Sequence, residues 1–156
     1  MAEKYKLDSI DQRILGILQA RADTPNNALA AEVGLSPAPC MRRVQRLRQM
    51  GVIRRFTIEV DPALLGYQIS AFVEITLREH STDVASRFMK AVQNLSQVIS
   101  CHMVAGDCDF ILRVQARDLP EYRELIWRDL HHIDGVERIH SIIVLDTFKE
   151  QPLGEM

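Results

Sequence analysis

The stretch "LAAEVGLSPAPCMRRVQRLRQMG", residues 29–51, contains two helical patterns separated by a short turn. Gly34 is expected to end the first helix in the left-handed conformation that glycine adopts easily. Ser36 is a favourable N-cap for the second helix, and Pro37 suits its first position. The apolar residues of this second helix recur along one face: Cys40, Val44, Leu47 and Met50. The stretch therefore predicts the last two helices of a helix-turn-helix.

The sequence on either side completes a small domain. Asp8 can cap a preceding helix whose apolar residues recur at helical spacing: Ile10, Ile14, Leu15 and Leu18. Asn26 or Asn27 can cap the short helix before the turn. The segment "VIRRFTIEVD", residues 52–61, alternates apolar and polar residues and predicts a strand that forms a wing. We therefore expect a winged helix-turn-helix over residues 1–60.

Four arginines on the last of these helices concentrate positive charge. Arg42, Arg43 and Arg46 fall away from its apolar face, whereas Arg48 is rotated towards a flank. A helix presented in this way fits the major groove of B-DNA, where arginine binds guanine or phosphate. Ser36 and the amide groups of the first turn would face the phosphate backbone. The alternative is a solvated basic face on an ordinary helix.

Charge is distributed unevenly along the chain of 156 residues. The formal net charge is −2, yet residues 1–60 carry +4 and residues 61–156 carry −6. A basic half of this kind is a hint of nucleic-acid binding. No apolar run approaches the roughly 20 residues of a membrane span, and the N-terminus lacks the apolar core of a secretory signal. The three cysteines, an odd and sparse set, suit a reducing cytoplasm.

The second half of the chain follows the order βαββαβ. Strand patterns cover residues 67–79, 97–106, 108–116 and 136–148, and amphipathic helices cover 81–95 and 118–133. This order predicts an α+β ferredoxin-like sandwich over residues 67–156, joined to the first domain by a linker at 61–66. Phe72 and the run Ile142–Leu145 make the uncovered sheet face partly apolar, so we expect a homodimer.

The segment "VAGDCDFILRV", residues 104–114, is a second candidate site. Gly106 and Asp107 predict a hairpin between two strands. Backbone amides there can bind a carboxylate, and the carboxylates of Asp107 and Asp109 can bind an ammonium group. This combination suits an amino acid, although spacing alone favours an ordinary turn.

Catalytic and metal-binding motifs are missing from the sequence. His102, Cys108 and His140 belong to different predicted strands and lack the spacing of a metal site. We find no nucleophile elbow, phosphate loop, HExxH pair or paired carboxylates. Cys40 lies beside arginines, which favours a lowered pKa, but its place on the apolar face favours a small core residue. We therefore expect no enzyme, no catalytic residue, no metal and no cofactor.

Four stretches together resemble the leucine-responsive/asparagine-regulator (Lrp/AsnC) family of prokaryotic transcription regulators. They are "LDSIDQRILGILQ", "LAAEVGLSPAPCMRRVQRLRQMGVIRRF", "DPALLGYQISAFVEI" and "VAGDCDFILRVQARDLPEY". They follow the family's order over nearly the whole chain, up to the final "EQPLGEM". The resemblance is therefore more specific than any single motif.

The resemblance implies a winged helix-turn-helix followed by a domain that senses amino acids. It implies that the third helix contacts DNA through Ser36, Pro37, Cys40, Arg42, Arg43 and Arg46. It also implies an effector site between dimers, formed by Val104, Ala105, Gly106, Asp107, Asp109 and the last-strand residue Ser141. Family members form dimers that often assemble into octamers.

The sequence thus predicts a homo-oligomeric regulator that binds double-stranded DNA sequence-specifically. A small amino acid is expected to modulate its DNA binding or its assembly. We expect a cytoplasmic, nucleoid-associated protein with no membrane partner. The alternatives are an architectural DNA-binding protein without an effector and, less favoured, an amino-acid-sensing module that regulates an enzyme.

Overall fold

A computed structural model describes residues 7–79 and 81–150 of the chain. The described residues form two compact units, one that covers residues 7–59 with 149–150 and one that covers Val60–Phe148. The first unit is helical and the second contains a four-stranded sheet. The predicted α+β class is confirmed, whereas the predicted domain limits of 1–60, 61–66 and 67–156 stay a prediction.

Three helices build the first unit: α1 (Ser9–Ala20), α2 (Asn26–Val33) and α3 (Pro37–Gln49). Asp8 caps α1 as predicted, because its carboxylate accepts the amide of Asp11 at 2.8 Å. The predicted asparagine cap of α2 is wrong. Pro25 occupies the N-cap position, and the Asn26 side chain instead donates to the carbonyl of Pro37 at 3.0 Å. Gly34 ends α2 with a φ of 75°, a conformation that side chains disfavour.

One apolar cluster holds the three helices together. Each helix contributes buried side chains to it: Ile14, Leu15 and Leu18 from α1, Leu29, Ala30 and Val33 from α2, and Cys40 and Leu47 from α3. Val44 and Ile53 pack against the cluster while partly exposed. Because α3 buries a single apolar face, its opposite face is left for solvent.

The predicted wing strand is wrong. Residues 54–60 belong to no strand, and Phe56, Ile58 and Val60 are exposed. A strand requires a neighbour that accepts and donates its backbone hydrogen bonds. Among the described residues no segment pairs with this one, so its alternation of apolar and polar residues has no sheet to join.

The second unit is a four-stranded antiparallel sheet in the order β2-β3-β1-β4. Its strands are β1 (Ile69–Leu77), β2 (Val98–Met103), β3 (Phe110–Ala116) and β4 (Val136–Ile143). Its helices are α4 (Thr82–Val92) and α5 (Leu119–Glu124), and α5 continues into a π-helical turn over Leu125–Leu130. The element order is the predicted ferredoxin-like one, and a 3-10 turn at Ala63–Leu65 precedes it.

The helices cover one face of the sheet. The rings of Phe88 on α4 and Phe110 on β3 lie 4.7 Å apart at the centre of this core. The strand β1 contributes alternate residues to this core, and Ala71, Val73, Ile75 and Leu77 are all buried. Leu119 does not take part in this core. This residue begins α5 and stays exposed, whereas Tyr122 and Leu125 point into the core.

The opposite face of the sheet is open in the single chain. Phe72 and Ile142 lie opposite each other on β1 and β4, and both are more than 40% exposed. Beside them, Nδ1 of His140 lies 2.9 Å from a carboxylate oxygen of Glu74 across the same two strands. The open face is therefore apolar at one end and polar beside it.

Gly135 occupies a position where the fold leaves no room for a side chain. Its φ is 94°, and a Cβ there would lie 2.3 Å from a methyl group of Val84. We expect Gly135→Ala to lower the free energy of unfolding by about 2–4 kcal/mol, from left-handed strain and overpacking. Urea unfolding measures this loss. Gly106→Ala in the same unit is the control, because a Cβ there meets nothing within 4 Å; equal losses in both variants would contradict the packing argument.

Candidate functional site

The exposed face of α3 is the candidate DNA-binding surface. It lies opposite the buried residues Cys40 and Leu47, and it presents Ala38, Arg42, Gln45 and Gln49 with Met41 and Arg46 at its edges. Glutamine can bind adenine and arginine can bind guanine in the major groove, each with two hydrogen bonds. Gln45 and Gln49 are not among the predicted DNA contacts. They occur at the helical spacing opposite the apolar face, which is the signal that identifies them.

The start of α3 offers fewer amide donors than the sequence analysis assumed. Ser36 is the N-cap, but its hydroxyl accepts no capping hydrogen bond. One of the two usual donors, the amide of the third helical residue, is missing because that residue is Pro39. Pro37 lacks an amide proton as well. A phosphate at this end of the helix would meet the Ser36 hydroxyl and the amide of Ala38.

Cys40 is a correction to the predicted DNA contacts. Its side chain is completely buried among the residues that pack α3 onto α1 and α2, so it cannot reach a base or a phosphate. Burial raises the pKa of its thiol, and the nearby Arg43 opposes this only in part. The thiol is therefore a core group and the lowered pKa considered above is wrong.

Two of the four arginines on α3 are held by carboxylates of the first unit. Arg43 donates from Nη1 to Asp8 at 2.6 Å and to Asp11 at 2.8 Å, and Arg46 donates from Nη2 to Asp11 at 2.5 Å. The side chain of Arg43 is 27% exposed and that of Arg46 is 52% exposed. The carboxylates raise the pKa of Arg43. Both arginines are therefore bound to carboxylates at the start of α1.

The other two arginines of α3 have no carboxylate partner among residues 7–79 and 81–150. Arg42 is exposed at the middle of the candidate surface. Arg48 lies over the ring of Phe56, with its guanidinium carbon 5.8 Å from the ring centre. This places Arg48 at a flank, as the sequence analysis expected, and makes Arg42 the most available cation on the helix.

The predicted effector loop forms the connection between β2 and β3. Val104 to Asp109 make a six-residue loop closed by the Val104 amide, which donates to the carbonyl of Asp109 at 3.0 Å. The amides of Ala105, Gly106 and Asp107 donate no hydrogen bond within the described residues. They remain available for a ligand carboxylate. The connection is longer than the two-residue turn that Gly106 and Asp107 predicted.

The two aspartates of this loop differ in surroundings. Asp109 is partly buried, and its carboxylate accepts the amide of Leu77 at 2.7 Å, which ties the loop to β1. Asp107 is exposed, so its carboxylate is the better candidate for an ammonium group. Arg138 on β4 donates to the carbonyl of Asp107 at 3.3 Å and adds a cation that the sequence analysis did not select.

Ser141 is not brought to the loop within one chain. It lies three residues beyond Arg138 along β4, a distance of about 10 Å. Its side chain therefore points to the face of the sheet opposite to that of Arg138. The loop and Ser141 therefore remain separate candidates in the single chain.

The described residues contain no group of three or more histidine, cysteine or acidic side chains able to hold a metal ion. No helix in the described part of the chain is long and apolar enough to cross a membrane.

Comparison with known proteins matches both units. Residues 7–54 match a winged helix-turn-helix DNA-binding model, and residues 70–153 match the Lrp/AsnC ligand binding domain. The chain belongs to the Lrp/AsnC family. The leucine-responsive regulatory proteins of Klebsiella pneumoniae and Escherichia coli K12 are each 38% identical to it over 144 residues, which is 92% of this chain and 88% of theirs. The predicted family and its regulator function, with a DNA-binding helix-turn-helix and an amino-acid-binding domain, are confirmed.

Solved structures of the family superimpose closely. A Neisseria meningitidis transcriptional regulator in complex with L-Met has a TM-score of 0.88 at 28% identity, covering 94% of each chain. Escherichia coli AsnC has a TM-score of 0.87 at 26% identity and covers 96% of this chain and 99% of its own. An AsnC family regulator from Agrobacterium tumefaciens has a TM-score of 0.86 at 32% identity, covering 93% and 94%.

The Asp8 carboxylate predicts how the helical unit responds to acid. The Asp11 amide and then Arg43 lower the pKa of Asp8 from its usual value of 3.8. A lowered pKa in the folded state stabilises the fold above pH 3.8, and this stabilisation is lost as the pH falls through the lowered value. Asp8→Asn keeps a capping side chain but removes the charge. We expect it to destabilise the protein at pH 7 and to differ little from the parent at pH 2 in urea unfolding.

The exposed Asp23→Asn, in the turn after α1, is the control for this experiment. A difference between Asp8→Asn and the parent that stays constant from pH 7 to pH 2 would contradict the assigned pKa.

Proposed function

We propose that this Lrp/AsnC protein is a homodimeric, sequence-specific DNA-binding regulator whose effector is an amino acid bound at the Val104–Asp109 loop. The observation that carries the DNA-binding part is the exposed face of α3, where Arg42 and Gln45 are free of the core. The effector site is supported by the backbone amides of Ala105, Gly106 and Asp107, which donate no hydrogen bond within the described residues and lie beside the exposed carboxylate of Asp107. Cytoplasmic location and nucleoid association follow from this function.

The proposed DNA contacts combine positioning and base recognition. Ser36 and the first turn of α3 bind phosphate, while Arg42 and Gln45 meet base edges in the major groove. Pro37 fixes the start of the helix and contributes no donor. Arg46 lies at the edge of this surface and Arg43 behind it, so we assign them smaller direct contributions than Arg42.

The proposed effector is an aliphatic or thioether amino acid. The related regulators named above are leucine-responsive, and one structural relative holds L-Met. In this chain the amides of Ala105 and Gly106 would bind the carboxylate, and Asp107 would bind the ammonium group. The amino acid alters DNA binding or assembly only if it binds one conformational or oligomeric state more tightly than another.

The proposed dimer uses the open face of the sheet. Phe72 and Ile142 lie opposite each other and are both more than 40% exposed, so they form an apolar patch of the kind that marks an interaction site. A second copy that covers this face also encloses the Glu74–His140 pair. Association of dimers into an octamer is the further step that places two loops near each other.

A thermal-shift screen of the common amino acids on the full chain tests the effector site. We expect L-Leu or L-Met to raise the melting temperature, equivalent to about 2.7 kcal/mol at a ligand concentration 100 times Kd. Gly106→Phe should abolish the shift without changing the melting temperature of the free protein, because the position opens to solvent. Gly106→Ala is the matched control. An unaltered shift in Gly106→Phe would exclude the loop, and no shift with any amino acid would favour an architectural protein.

Sedimentation velocity tests the dimer. Phe72→Glu places a charge on the open sheet face, and we expect it to weaken self-association by at least tenfold because that charge must be desolvated. Met89→Glu carries the same charge on α4, on the opposite side of the sheet, and should leave association unchanged. Equal sedimentation of Phe72→Glu and the parent would place the dimer contact elsewhere.

A further inference from the structure

Asp11 is the one charged residue that is completely buried in the described part of the chain. Its carboxylate lies between α1 and α3, with only 1% of the side chain exposed. A buried carboxylate is costly unless cations and hydrogen-bond donors surround it. The donors here come from the helix that carries the DNA-binding surface.

The carboxylate of Asp11 uses both of its oxygens on α3. Oδ1 accepts from Arg43 at 2.8 Å, and Oδ2 accepts from Arg46 at 2.5 Å. Asp8 supports this arrangement, because it caps the Asp11 amide at 2.8 Å and also binds Arg43 at 2.6 Å. Two carboxylates and two guanidinium groups thus form a neutral cluster, which we call the α1–α3 cluster.

The α1–α3 cluster fixes both the position and the charge of α3. Arg43 and Arg46 are three residues apart, so a single buried carboxylate bound to both restricts rotation of α3 about its axis. The same contacts neutralise two of the four arginines of α3. Of those four, Arg42 and Arg48 keep their full charge for phosphates.

We propose that Asp11 is a positioning and specificity-determining residue for DNA recognition. It sets the rotation of α3 that presents Arg42 and Gln45 to the groove, and it keeps Arg43 and Arg46 from binding phosphates of any sequence. This inference rests on the DNA-binding function proposed above. This role of Asp11 lowers the affinity for random DNA and raises the ratio of specific to non-specific affinity.

Salt dependence distinguishes this role from a merely structural one. Each phosphate that a protein neutralises adds about 0.9 to the slope of log affinity against log salt. Arginines released by the loss of Asp11 would add phosphate contacts and make that slope steeper. Simple loosening of the fold lowers the affinity without adding contacts.

The experiment compares Asp11→Asn with Asp23→Asn in the full chain. Both variants remove one carboxylate, but Asp23 lies in an exposed turn and holds no arginine of α3. The probes are a 30-base-pair duplex of random sequence and a duplex selected by repeated binding to the parent protein. Affinity is measured by fluorescence anisotropy from 50 to 200 mM salt.

We expect Asp11→Asn to steepen the slope on the random duplex by about 0.9 to 1.8, which is one or two added contacts. Its ratio of specific to non-specific affinity should fall by at least tenfold, while Asp23→Asn changes neither quantity to this extent. An unchanged slope and ratio in folded Asp11→Asn would overturn the proposal. Failure of the parent protein to bind either duplex would instead contradict the proposed function.

A second pair of variants decides the matter if Asp11→Asn does not fold. Arg42→Gln and Arg46→Gln remove the same charge one helical turn apart, from side chains that are both exposed. We expect Arg42→Gln to reduce the slope on the random duplex by about 0.9, equivalent to a three- to fourfold smaller loss of affinity over this salt range. Arg46→Gln should reduce it by less than half as much. Equal reductions would overturn the proposal.

Discussion

The buried carboxylate of Asp11 is the constraint that organises the helical unit. The cost of burying it is offset by hydrogen bonds from Arg43 and Arg46, which reach it from α3. Removal of one partner of a buried ion pair typically costs about 3–5 kcal/mol, so the positions of α1 and α3 are linked through this contact. The apolar cluster beneath it brings the helices together without direction, whereas the ion pairs select one rotation.

The two units differ in whether their apolar faces are covered within the single chain. In the first, an apolar face is buried within the chain and a polar face is left to solvent. In the second, the helices cover one sheet face, while Phe72 and Ile142 on the other are exposed in the single chain. The loop between β2 and β3 extends from this sheet and is tied to β1 by Asp109. A ligand that binds the loop amides is therefore held close to the strand that also contributes to the open face.

Periodicity predicted the elements that bury one face within a single chain. The helices of the first unit and the alternating residues of β1 were of this kind, because their apolar residues meet neighbours in the same chain. Periodicity failed for residues 54–60, where alternation was present without a strand to pair with. It also left the partners of Arg43 undetermined, since its contacts with Asp8 and Asp11 join residues 35 and 32 positions apart. For Cys40, the helical spacing predicts a core position and the family resemblance implies a DNA contact. Its complete burial agrees with the spacing.

The two prolines at the start of α3 have a consequence for the thermodynamics of recognition. Proline fixes its own φ near the helical value, so the first turn of α3 has few alternative conformations to lose. Pro37 and Pro39 thus order this turn during folding rather than on contact with a ligand. The entropy of ordering the leading end of the helix is therefore lost during folding, and a ligand that docks there meets a preformed surface.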